Sequence, residues 1–161
     1  MMKKERIEID YTAYASAEEL HEADRELFGK AVEAVNGSYA PYSHFHVGAA
    51  VLLADGHVVC GANQENAASP SGLCAERTAL FYAHANYPGI PVRAIAIAAR
   101  KEGSQAFSPA YPCGACRQVL AESQKRAGAD IRIIVGDRDR ILVFGSVDAL
   151  LPFIFDSASM D

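Results

Sequence analysis

The sequence predicts an α/β fold of three layers, α/β/α, built on a five-stranded mixed sheet. Three observations carry that expectation. Amphipathic helical stretches alternate with short apolar runs rich in β-branched residues. Two pairs of those runs are joined by short polar links, Asp55-Gly56 and Asp137-Arg138-Asp139, which suit antiparallel neighbours and are too short for a parallel crossover. The order helix, hairpin, helix, strand, helix, hairpin, helix then implies one sheet with helices on both faces. At 161 residues the chain suits a single domain, 1–161, with residues 1–15 as an N-terminal arm.

The arm alternates Ile7, Ile9 and Tyr11 with polar residues, which suits either a short edge strand or an extended segment on the body. Ser16 followed by Glu19 has the spacing of a capping box, so the first helix is expected to open there. Leu20, Ala23, Leu27, Ala31, Ala34 and Val35 recur at helical spacing until Asn36-Gly37 ends it. The turn through Tyr39-Ala40-Pro41-Tyr42-Ser43-His44 delivers a strand over 45–54, and Asp55-Gly56 turns it back over 57–62. Asn63 to Asn66 and Ser69-Pro70-Ser71-Gly72 lead to a helix beginning near Cys74. Residues 92–99 read as a buried strand, 100–112 as a loop, and about 113–126 as a helix stopped by Gly128. A second hairpin follows over 131–135 and 141–144, and Ser146 with Asp148 opens a last short helix before Pro152.

Charge and composition exclude several functions. A net charge of −5 argues against a surface that tracks nucleic-acid phosphates. The longest apolar runs, 47–54 and 94–99, are far too short to span a bilayer. The opening Met1-Met2-Lys3-Lys4-Glu5-Arg6 leads into no apolar signal core, so a cytoplasmic protein with no membrane partner is expected. Four cysteines in such a chain favour metal or free thiols over disulfides.

The cysteines fall into a chemical pattern. Cys113 and Cys116 are three apart at the start of a helix and can bite one metal, with Cys74 as a third ligand from a distant segment. Three protein ligands leave the fourth tetrahedral position for water, the catalytic arrangement of zinc. Glu76 follows Cys74 by two and could reach that water as a general acid/base, the three-cysteine arrangement of zinc nucleobase deaminases. Arg77 can donate to a thiolate from behind the ligands. Cys60 has no partner spacing and reads as a core thiol. His44 and His46 flank Phe45, but a metal with three thiolates has its ligands already. Asn63 and Glu65 share one face at a strand exit and could bond a polyhydroxy substrate.

Four stretches together resemble one family over roughly residues 20–157: Tyr39-Ala40-Pro41-Tyr42-Ser43-His44-Phe45-His46-Val47-Gly48-Ala49-Ala50, Asn63-Gln64-Glu65-Asn66-Ala67, Cys74-Ala75-Glu76-Arg77-Thr78-Ala79 and Pro112-Cys113-Gly114-Ala115-Cys116-Arg117-Gln118-Val119. They look like the small homotetrameric cytidine deaminases, and Leu150-Leu151-Pro152 with Phe155 resembles that family's C-terminal segment. The resemblance implies hydrolytic deamination of cytidine and 2′-deoxycytidine in pyrimidine salvage. It implies a cytidine deaminase-like fold, one Zn2+ per chain on Cys74, Cys113 and Cys116, and Glu76 as proton shuttle. It further implies that Phe45 packs on the pyrimidine, that Asn63 and Glu65 grip the ribose 3′-hydroxyl, and that the Ala75 backbone meets the base. Phe155 would stack on the base from a neighbouring subunit, so sites would be shared within a homotetramer. Ser69 departs from the family's tyrosine, and the arm, longer than in many relatives, is assigned an interface-covering role. A modified cytosine nucleoside as substrate, or a zinc-stabilised binding module without turnover, are the competing readings; Glu76 argues against the second.

Overall fold

The computed structural model describes residues 1–137 and 139–160. Ala94 to Ala99 are all buried, as a strand must be when helices cover both of its faces. These residues belong to β4 (Val92–Lys101), which pairs antiparallel with β2 (Phe45–Leu53) and parallel with β5 (Arg132–Gly136). β3 (Val58–Ala62) returns from β2 through Gly56, whose φ of +91° suits a residue without a Cβ. β6 (Ile141–Phe144) pairs antiparallel with β5, as their short link requires; Arg138 of that link lies outside the described residues.

The sheet has six strands rather than the expected five, in the order β1-β6-β5-β4-β2-β3. The extra strand is β1 (Thr12–Tyr14), the end of the N-terminal arm, paired antiparallel along β6. Three residues cannot announce a strand by alternation, and only the distant β6 edge makes them one.

Helix α1 (Glu22–Ala34) covers one face, and α2 (Ala75–Asn86) with α3 (Gly114–Ala127) covers the other. The start of α1 corrects the sequence reading. Ser16 opens only a 3-10 turn, Ala17–Glu19, and makes no side-chain cap bond, whereas Glu19 Oε2 accepts from Ala15 N at 2.9 Å. Leu20 is extended and buried, and α1 starts afresh two residues later. Cys60, expected in the core, is exposed. Its neighbours Val59 and Gly61 face α2, so Cys60 points to the α1 side, where the edge strand reaches past the cover of that helix.

Both layers press closely on the sheet. A Cβ on Gly48 would lie 2.3 Å from Ala31 O of α1, and one on Gly61 would lie 2.6 Å from Ala79 N and 2.8 Å from Ala75 O of α2. The α1 layer is tied to β5 by an ion pair in which Arg132 Nε reaches both Asp24 oxygens at 3.0 Å and Nη2 reaches Oδ1 at 2.5 Å. Asp24 is buried, so Arg132→Met, which leaves that carboxylate without its cation, should cost about 1–3 kcal/mol in urea unfolding.

The topology sets where the chemistry gathers. β3 and β4 both run antiparallel to β2, so both end at the same end of the sheet, where β2 begins. The helices that follow them, α2 and α3, therefore start together at that end, beside Phe45.

Candidate active site

Cys74 and Cys113 occupy matching positions, each the extended N-cap residue of its helix, and neither thiol makes a capping bond to a backbone N–H of that helix. Pro112 favours an extended approach to α3, and Cys116 falls within the first turn, buried. The three Sγ atoms lie within 4.8 Å of one another, with Cys74–Cys113 at 3.8 Å and Cys113–Cys116 at 3.5 Å. Helix N-termini add partial positive charge, which favours thiolates there.

Arg77 sits behind this cluster. Its Nη2 donates to Cys74 Sγ at 3.5 Å, and its Nε is buried with no hydrogen-bond partner among the described residues. The Cys74 thiol is lowered to about 5, first by the adjacent Cys116 thiol and then by the Arg77 guanidinium, with burial opposing. The Cys116 thiol is driven the other way by Cys74 and by burial. The two sulfurs thus compete for one negative charge, and a bound cation relieves that competition. Three sulfurs at this spacing, no fourth protein ligand among the described residues and a guanidinium behind them fit a metal held on three protein ligands.

Glu76, in the first turn of α2, is 5% exposed, and burial raises its carboxyl above the usual range. It lines a cavity of about 590 Å³ together with Phe45, Asn63, Glu65, Cys74, Ala75 and Cys113. The fold therefore brings together on one wall seven of the residues singled out in the sequence. Cys116 lies in the sulfur group, and Arg77 with Ser69 lines an adjoining groove of about 410 Å³. Phe155 is not at this cavity. It is 63% exposed in the C-terminal segment, whose Phe155 carbonyl accepts from Gln118 Nε2 of α3 at 2.7 Å.

The polar residues of the wall also hold the chain around it. Asn63 Oδ1 accepts from Val47 N at 2.8 Å and Nδ2 donates to Phe45 O at 2.9 Å. Glu65 Oε2 accepts from Tyr42 N at 2.9 Å and Ser43 N at 3.2 Å, which draws the 42–43 turn to the cavity; its carboxyl is lowered first by the Ser43 hydroxyl and then by these N–H groups. His44 does not face the sulfurs; it adopts φ +55° and its Nδ1 meets Glu102 at 2.8 Å.

Two residues without a sequence-derived role help to shape the site. Tyr111 lines the cavity and its hydroxyl donates to Asp137 Oδ2 at 3.2 Å. Arg117 ties the loop ahead of Cys113 to the C-terminal segment, with Nε on Pro112 O at 2.8 Å and Nη1 on Leu150 O at 2.7 Å. Its place next to Cys116 was the only signal available, and adjacency does not say that a side chain seeks carbonyls.

The sequence profile described as the cytidine and deoxycytidylate deaminase zinc-binding region matches residues 21–128. The chain belongs to the cytidine deaminase family. A cytidine deaminase of Halalkalibacterium halodurans is 41% identical over 139 residues, 86% of this chain and 98% of that protein. The crystal structure of cytidine deaminase from Burkholderia pseudomallei, 39% identical, superposes with a TM-score of 0.66 over 81% of this chain and 97% of that one. The cytidine deaminase structure from Mycobacterium tuberculosis, 35% identical, gives 0.63 over 81% and 95%. In cytidine deaminase terms, the matched region takes in all three sulfur residues, Glu76 and the Asn63–Glu65 wall.

Proposed function

We propose that the chain is a zinc-dependent hydrolase that converts cytidine and 2′-deoxycytidine to uridine and 2′-deoxyuridine with release of ammonia, in pyrimidine salvage. The observation that carries this reading is the buried Glu76 carboxyl beside three clustered sulfurs on the wall of a cavity of about 590 Å³. One Zn2+ per chain would be held by Cys74, Cys113 and Cys116, and its Lewis acidity makes water a nucleophile near neutral pH.

The residues divide the remaining work. A Glu76 oxygen takes a proton from the attacking water and delivers it to the pyrimidine ring nitrogen. It then takes the second proton from the hydroxyl newly added to the ring carbon and gives it to the departing amino group as that carbon becomes a carbonyl. One water is consumed and one ammonia leaves, so protons balance. Burial favours this role, since a carboxyl raised above its ordinary range is a stronger base toward the attacking water. Phe45 offers the pyrimidine an apolar face, the Ala75 backbone meets the base, and Asn63 with Glu65 meets the ribose hydroxyls. Arg77 steadies the thiolates by its bond to Cys74.

The family resemblance implies a homotetramer of single deaminase domains, and the exposed Phe155 suits the aromatic that would be lent to a neighbouring subunit. The net charge of −5 favours nucleosides over nucleotides or nucleic acid, and a cytoplasmic setting suits free thiols. Among the described residues no helix is long and apolar enough to cross a membrane.

The test is ammonia release from cytidine, 2′-deoxycytidine, cytidine monophosphate and free cytosine. Turnover of the two nucleosides alone, with one zinc per chain, is the expected result; zinc present without turnover of either would overturn it. Dialysis against a strong zinc chelator should abolish turnover and lower Tm, and added zinc should restore both.

A further inference from the structure

Asn63 stands at the inner end of a polar chain that leads away from the cavity. Its amide orientation is fixed from the backbone, because Oδ1 accepts from Val47 N at 2.8 Å while Nδ2 donates to Phe45 O at 2.9 Å. The Ser38 hydroxyl lies 2.6 Å from the same Oδ1. An amide oxygen only accepts, so the hydroxyl must spend its one hydrogen there. Ser38 Oγ is then an acceptor, and His46 Nδ1 at 3.1 Å must carry the hydrogen that meets it. Two backbone groups thereby dictate the tautomer of a histidine two bonds further out.

The outer end opens elsewhere. Ser38 and His46 line a cavity of about 310 Å³ that shares no residue with the one holding Glu76, and His46 sits opposite Arg100 in the β2–β4 ladder. With Oδ1 occupied twice and one Nδ2 hydrogen committed, what Asn63 can turn toward a ligand is its second N–H. The chain thus makes Asn63 a donor.

We propose that Ser38 and His46 are positioning residues for nucleoside binding: the backbone sets which end of the Asn63 amide is oxygen, and Ser38, held by His46, fills the second lone pair of that oxygen and so steadies the plane in which the free N–H faces the ribose hydroxyls. This rests on the cavity being the nucleoside site. Neither residue touches the substrate or the sulfurs, so binding depends on them and the chemical step does not.

Long-range 1H–15N spectra of the imidazole rings read the tautomer directly, and neutral His46 should carry its hydrogen on Nδ1. Ser38→Ala and His46→Phe should each raise KM for cytidine about five- to tenfold with kcat within about twofold. His46→Asn, whose amide places an N–H where Nδ1–H sits, should keep KM within about twofold of the parent. An Nε2–H tautomer would overturn the proposal, as would a fall in kcat matching the rise in KM, or His46→Asn behaving like His46→Phe. The tautomer is read without substrate, so a protein that failed to turn over cytidine would sink the proposed activity and leave this contact chain to be judged on the spectrum.

Discussion

Glu76→Gln lowers the rate of cytidine deamination by about 10²–10⁴-fold while zinc stays at one per chain and Tm does not fall. The first part follows from the proton count. Glutamine has nearly the same shape as glutamate but cannot take a proton from the attacking water or return one to the leaving amino group. The second part follows from burial. At 5% exposure the ionised carboxylate is disfavoured, so replacing it with a neutral amide removes a desolvation cost. A loss of rate together with a loss of Tm or of zinc would mean that Glu76 supports the fold or the metal instead. Kinetics with metal analysis and calorimetry on one sample distinguishes these outcomes.

Gly61→Ala damages both fold and activity, through a backbone contact rather than through any reacting group. The added methyl would sit 2.6 Å from Ala79 N and 2.8 Å from Ala75 O, and backbone cannot swing aside as a side-chain tip can. Helix α2 must lift from β3, at a cost of about 3 kcal/mol, or a drop in Tm of about 6–12 °C for a domain of this size. The same turn carries Ala75 and Glu76 and follows Cys74, so the lift also moves the carboxyl relative to the sulfurs. A misplacement of about 1 Å at such a centre can cost on the order of 100-fold in kcat. Gly29→Ala is the matched control: it lies inside α1 with nothing within 4 Å of the new methyl, and should stabilise by about 0.5–1 kcal/mol. A Gly61→Ala protein as stable and active as the parent would refute the close approach of α2 to the sheet.

The sulfur residues and Glu76 were legible because their chemistry is written in local spacing: the pairs 113/116 and 74/76 each fit within one helical turn. That the two turns face one another was legible only through the expected order of elements, which places both helices after strands of one sheet. Other features depended on partners distant in sequence. Ser16 and Glu19 had the capping spacing, but the burial of Leu20 in an extended conformation broke the helix before α1. Cys60 alternated correctly, yet alternation cannot show that β3 is an edge strand. Asn63 and Glu65 were picked for their shared face, whereas their bonds to Val47, Phe45, Tyr42 and Ser43 arise only once β2 and the β3 exit lie side by side. The Ser38–His46 contact was invisible for the same reason.

The pairing of β1 with β6 joins Thr12 to Val143, nearly the full length of the chain apart. During synthesis the arm emerges long before its partner strand, so this margin of the sheet closes only after everything between them has emerged. Until then Ile141 to Phe144, an apolar row with open N–H and C=O groups, is a template that any other extended chain could join. The arm thus gives β6 a partner from its own chain and shuts out a stranger.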